Sequence, residues 1–175
     1  GRRPVKGVLG VMICGVSRGG KLATAALNHG GDERATRAEA LDSLRGAMFR
    51  GRLVAQERLQ EGADGLDTAR LLAAVQDEVL HALFDFVTTH IIRARNPTEG
   101  ERLAVYATGG YGRSVLAPSS DIDLLFIRPY KASPYAESVI EYMLYALWDM
   151  GLKVGHAVRT PQECVRRAKE GVTNK

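Results

Sequence analysis

From Asp32 onward, apolar residues recur at Leu41, Leu44, Met48, Ala55 and Leu59. Spacings of three and four residues put such positions on one stripe of an α-helix, although Gly46 and Gly51 weaken it. Glu61-Gly62-Ala63-Asp64-Gly65 reads as a stop and a turn. Asp67 is then placed to cap a second helix, in which Leu71, Val75, Val79, Leu83 and Phe86 return at helical spacing up to about Ile92. Asn96-Pro97 closes this unit, so the pattern predicts a helical hairpin.

Beyond Pro97 the period changes. Leu103 to Thr108 is a short β-prone run ending in Gly109-Gly110, and Ile122 to Ile127 is almost wholly apolar, as in a buried strand. Pro134 opens a third helix with Val139, Ile140, Met143, Leu144, Leu147 and Trp148 on its core side, and Gly151 suits its C-terminal cap. Tyr142, Tyr145 and Trp148 read as part of that core face. Val154 to Val158 predicts a third strand. Thr160-Pro161-Gln162-Glu163 has the form of a capping box at the head of a fourth helix. The second half is thus β, turn, β, α, β, α.

The expected fold class is α+β, in three parts. Residues 1–31 are Gly-rich and carry no assignable pattern, residues 32–97 form the hairpin, and residues 98–175 form the core. The chain opens on Gly1 and stops at Lys175 with no closing element, which is the expectation for a fragment truncated at its C-terminus.

Composition narrows the function classes. Of 175 residues, 45% are hydrophobic and 25% charged, enough for one ordinary core. The net charge of +4 is spread among acids rather than gathered in an arm or stripe, so no nucleic-acid partner is expected. No apolar run approaches the ~18 residues of a membrane span. Val8 to Val16, interrupted by Gly10 and Gly15, resembles a signal peptide only faintly. Cys14 and Cys164 lack any metal-ligand or disulfide-framework spacing, which points to a reducing, cytoplasmic setting. Gly15 to Lys21 has the start of a P-loop, but Leu22 stands where a hydroxyl is needed, so a flexible segment is the plainer account.

The chemistry concentrates between Gly109 and Asp123. Three glycines in Thr108-Gly109-Gly110-Tyr111-Gly112-Arg113-Ser114 follow a strand directly, where they let the backbone turn sharply and approach a ligand. A short helix beginning there would aim free N–H groups at phosphate oxygens, and Arg113 would add a fork of donors. Asp121 and Asp123, two positions apart at the mouth of a strand, share one face. Paired carboxylates call for a cation, and Mg²⁺ suits them because it takes hard oxygens and keeps sites open for phosphates. Ten residues separate the Gly109-Gly110 pair from Asp121-Ile122-Asp123.

That spacing resembles the signature of the nucleotidyltransferase superfamily, the fold of DNA polymerase β. The longer string Ala107 to Arg113 with Leu116 to Leu125 resembles more narrowly the bacterial PII uridylyltransferase/uridylyl-removing enzyme family. Trp148 to His156 and Arg159 to Cys164 resemble it too. The resemblance implies a polymerase-β-like core with a small mixed sheet that transfers UMP from UTP to a tyrosine of the PII signalling protein. It implies that Gly109 and Gly110 hold the triphosphate, that Asp121 and Asp123 bind Mg²⁺, and that Ser120 adds a hydroxyl to the nucleotide site. It also implies a hydrolase domain and two glutamine-sensing ACT domains, none of which these 175 residues include.

Two departures stand out. Ser114-Val115 replaces the usual Gly-Glu, and the strand expected to carry a third carboxylate has Gly155 and His156. A structural role is the expectation for His156. Adenylyl transfer, another nucleotidyl transfer, and a remnant that only binds nucleotide or a partner stay open beside uridylyl transfer.

Overall fold

The computed structural model describes residues 12–13, 32–94, 101–129 and 132–173. The P-loop-like segment Gly15 to Lys21 and the closing Asn96-Pro97 lie outside them. Helix α1 spans Glu33–Gln60 and helix α2 spans Gly65–Phe86. Asp32 starts α1 by accepting from the N–H groups of Arg34 and Ala35 through Oδ1, at 3.0 and 3.2 Å. The chain reverses at Gly62, whose φ of +94° is a glycine conformation. Gly51, expected only to weaken α1, permits the hairpin to close: a Cβ there would lie 2.6 Å from both Val75 methyl groups.

Three expectations about the hairpin are corrected. Asp67 does not cap α2. The first turn closes earlier, with the Thr68 N–H and hydroxyl both donating to the Asp64 carbonyl, and Asp67 instead pairs with Arg70 at 3.1 Å. Leu59 is 48% exposed, because it falls in the last turn of α1, beyond the packed length of the hairpin. The buried face of α2 is wider than one stripe and is centred on Leu72, Gln76, Val79, Leu80 and Leu83. The helix serves two partners, α1 on one side and the loop before β3 on the other, so Leu71 and Val75 are only half-buried. After Phe86 the helix widens into a π-turn, Val87–Ile91, and stops at Ile92 as expected.

Among the described residues four strands form one mixed sheet: β1 (Met12–Ile13), β2 (Ala104–Thr108), β3 (Ile122–Ile127) and β4 (Val154–Arg159), in that spatial order. β1 pairs antiparallel with β2, β2 pairs antiparallel with β3, and β3 pairs parallel with β4. The parallel pair needs a crossover, and α3 (Pro134–Asp149) supplies it. Helix α4 (Pro161–Thr173) follows. The architecture is α+β. The two-residue β1 was not legible among the glycines of the first thirty residues.

Caps explain why α3 and α4 start and stop where they do. The Ser133 hydroxyl accepts from the Ala136 N–H at 3.1 Å, with Pro134 at the first helical position. Gly151, at φ +79°, closes α3 while the Leu152 N–H reaches back to the Leu147 carbonyl at 3.1 Å. The expected capping box of α4 is present: the Glu163 carboxylate accepts from the Thr160 N–H at 2.8 Å, and the Thr160 hydroxyl accepts from the Glu163 N–H at 3.2 Å.

One apolar cluster joins both halves. Val79, Leu80 and Leu83 of α2 share it with Ile122, Leu124 and Phe126 of β3 and Val139, Met143 and Leu147 of α3. Each such side chain contributes about 1.5–3 kcal/mol by leaving water. Tyr145 and Trp148 are exceptions to the expected core face of α3. They lie on its flank, 53% and 43% exposed, edge to face with each other at 5.6 Å. Tyr142 is half-buried against the Arg37 guanidinium.

Candidate active site

β2 runs into the glycine turn and β3 runs away from it, so antiparallel pairing sets Thr108 opposite Asp123. On the other side of β3, parallel pairing sets Gly155 of β4 beside the same aspartate. The consequence is steric. A Cβ on Gly109 would lie 2.7 Å from Asp123 Oδ2, and one on Gly155 would lie 2.5 Å from Asp123 Oδ1. Both are closer than side-chain atoms tolerate, so the carboxylate occupies the room that two missing side chains leave. Gly109, at φ +63°, needs its glycine for the turn as well.

Asp121 and Asp123 are both exposed, and Ile122 between them is fully buried. Alternation therefore puts both carboxylates on the open face of the sheet, as expected. Neither has a hydrogen-bond or ion-pair partner among the described residues. Thr108 fastens the strand ends together by donating its hydroxyl to the Asp123 carbonyl at 3.3 Å. Ser120 is exposed and donates its hydroxyl to the Asp121 carbonyl at 3.2 Å, at the edge of the same face.

The turn itself is a single 3₁₀ turn, Tyr111–Arg113, closed by the Arg113 N–H on the Gly110 carbonyl at 3.0 Å. The amides before Arg113 lie ahead of the helix's own ladder. Arg113 is exposed, with one guanidinium nitrogen 3.9 Å from where a Gly110 Cβ would stand, and it has no carboxylate partner among the described residues. Gly110 has ordinary helical angles, and a Cβ there would meet the Val115 carbonyl oxygen at 3.6 Å, an ordinary van der Waals contact. Ser114, where the resemblance has Gly, adopts the left-handed conformation at φ 58° and ψ 34°. Ser119 does the same at φ 63°. Each side chain there is held against a steric cost of about 1–2 kcal/mol.

Among the described residues no cluster of three or more His, Cys, Asp and Glu forms a metal site. The position beside Asp123 on β4, where a third acid was sought, is Gly155, and the Asp123 carboxylate fills its side-chain space. His156 pairs with Leu124 and so belongs to the opposite face, where its ring meets Trp148 at 6.4 Å. Two open carboxylates with accessible space around them fit a Mg²⁺ ion that draws its remaining ligands from phosphate and water.

The pattern of residues did not reveal what holds the turn from behind. The buried Tyr111 hydroxyl donates to Asp77 Oδ1 of α2 at 2.6 Å, and the Leu116 N–H donates to the Ala69 carbonyl of α2 at 3.1 Å. Burial raises the Asp77 carboxyl above its ordinary value, a shift that the Tyr111 hydrogen bond opposes. Burial and the adjoining carboxylate push the Tyr111 phenol far up, so it remains a donor. Asp77 sits among polar positions of a helix, and no sequence spacing links it to a residue 34 positions away.

A glycine turn, a facing strand with Asp-x-Asp and an α+β core with a mixed sheet are the elements that the resemblance to the nucleotidyltransferase superfamily leads one to expect. The sequence comparisons point to one branch. The chain is 62% identical over 93% of its length to the bifunctional uridylyltransferase/uridylyl-removing enzyme of Phenylobacterium zucineum, and 64% identical over 87% to that of Caulobacter vibrioides. The enzyme of the same name from Azospirillum brasilense is 47% identical over 87%. The chain is a homologue of the bifunctional uridylyltransferase/uridylyl-removing enzymes across most of its own length. It spans about one sixth of theirs, 16–17%. No family model and no solved structure matches it. No helix among the described residues is long and apolar enough to cross a membrane.

Proposed function

We propose that this chain carries the nucleotidyltransfer site of a cytoplasmic uridylyltransferase, moving UMP from UTP to a tyrosine hydroxyl of the PII signalling protein and releasing pyrophosphate. One observation carries the reading: the Asp123 carboxylate, without a partner among the described residues, lies in the room left by two glycines on the open face that it shares with Asp121, at the foot of a phosphate-type turn. The name of the homologous enzymes supports the choice of uridylyl transfer over other nucleotidyl transfers.

In this reading Gly109 and Gly110 bring the backbone up to the triphosphate, and the amides ahead of Arg113 face its oxygens. Arg113 adds planar donors that suit a phosphate. Ser120 offers its hydroxyl at the edge of the nucleotide. Asp121 and Asp123 hold Mg²⁺, which when bound favours the attacking oxygen and neutralises charge on the departing pyrophosphate. The tyrosine oxygen attacks the α-phosphorus in line, the bond to the β-phosphate oxygen breaks, and the phenolic proton leaves to water.

Asp123→Ala tests it. The carboxylate is exposed and makes no bond among the described residues, so its loss should change stability by no more than about 0.5 kcal/mol. Transfer of label from UTP to purified PII protein, and Mg²⁺-dependent UTP binding, should both vanish. Unchanged transfer in this variant would sink the mechanism, and label taken from ATP in preference to UTP would move the chain to an adenylyl branch. The strained Ser114 and the absence of an acid at position 155 favour a second reading, a domain that binds nucleotide without turning it over. UTP binding by calorimetry with no transfer to PII would support that instead.

A further inference from the structure

The loop from Gly109 to Ser120 lies along α2 at two bonded points. Near its start, the Tyr111 phenol, 3% exposed, donates to Asp77. Midway, the Leu116 N–H donates to the Ala69 carbonyl, eight residues back along the helix and so about 12 Å away. Between these points Gln76, 3% exposed and with no partner for its Nε2 among the described residues, lines a cavity of about 30 Å³. Leu116, Pro118, Ser120 and Ile122 line the same cavity, on the approach to Asp121. α2 therefore underlies the loop over most of its length. A half-buried carboxylate holding one buried phenol is a costly device for simple cohesion, because apolar side chains would fill the space without desolvating a charge.

We infer that Asp77 is a positioning residue of the nucleotide site: through Tyr111 it sets the height of the Gly109–Arg113 turn above β3, and so where the backbone and Arg113 meet a nucleoside triphosphate. The inference rests on the nucleotidyltransfer reading above. It makes the helical hairpin the rear wall of the site. Fixing one turn residue fixes the others, because the Arg113 N–H closes on Gly110 and the Ser114 N–H on Tyr111 itself.

The test uses the 175-residue chain, with UTP and Mg²⁺ in calorimetry and amide hydrogen exchange over residues 109–116. Tyr111→Phe and Asp77→Ala should each weaken UTP binding about tenfold, and the double variant should be no weaker than either, since both remove one bond. Asp77→Asn keeps an oxygen acceptor and should bind within about twofold of the unsubstituted chain. Exchange over the turn should speed up in the two damaging variants, with β3 and α3 unchanged. Binding unaffected by either substitution, additive losses, or protection lost throughout the domain would overturn the inference. If the unsubstituted chain binds no UTP, the nucleotidyltransfer reading falls. The exchange data then decide alone whether Asp77 holds the turn.

Discussion

At the scale of single residues, the site depends as much on what is missing as on what is present. Gly155→Ala would bring a methyl group to 2.5 Å from Asp123 Oδ1, into the space that the carboxylate now fills. The carboxylate must swing outward, which predicts at least a tenfold loss of transfer, since small misplacements of reacting groups cost about that much or more. Melting temperature should hardly move, because the displaced group is exposed; a large drop would mean that the strand itself had distorted. Ser114→Gly acts in the opposite sense. It removes a side chain from a left-handed position and should stabilise the chain by about 1 kcal/mol, read from the midpoint of urea unfolding. Transfer faster than in the unsubstituted chain would show that the strain also burdens the turn.

Elements show what the sequence could and could not disclose. Several helix ends were legible because their chemistry is local: the helical pattern begins at Asp32, Pro134 opens α3, Gly151 closes it and Thr160–Glu163 form the capping box of α4. The backbone N–H of Thr160 holds the Glu163 carboxyl below its ordinary value of 4.5. A lowered carboxyl contributes stability above its ordinary value and loses it as pH falls through the lowered one. Acidification below about 4.5 should therefore release the start of α4 first, seen as faster exchange at the Thr160 amide. A Thr160 amide that stays protected there would show that the box does not hold the helix. Features set by tertiary partners were hidden. Gly51 reads as a weak point until Val75 is seen against it, and Trp148 and Tyr145 read as core although the centre of the buried face lies elsewhere on α3.

For the whole molecule, the switch from helical to strand period near Pro97 marks the change from hairpin to sheet. Yet one apolar cluster runs through both, so the two parts share a core. The site was legible as far as its spacing went. Gly109, Gly110, Arg113, Ser120, Asp121 and Asp123 lie along one turn and the head of one strand, a stretch short enough for pattern to carry it. Its supports come from α2 and β4, which lie before and after that stretch. Asp77 and Gly155 could be recognised only once pairing and packing were known. On the inference drawn for Asp77, the Tyr111–Asp77 bond would give the hairpin a measurable part in nucleotide affinity. A substitution on α2, away from the open face, should register there in the manner set out for Asp77→Ala.

The clasp around Asp123 has a consequence for how the site responds to its surroundings. Most exposed carboxylates are steered by hydrogen bonds or counter-charges, which weaken as ions screen them. This one lies in the room that Gly109 of the turn and Gly155 of β4 leave by lacking side chains, and steric fit does not depend on ionic strength. Salt should therefore weaken the capture of a charged nucleotide while leaving the aim of the carboxylate unaltered.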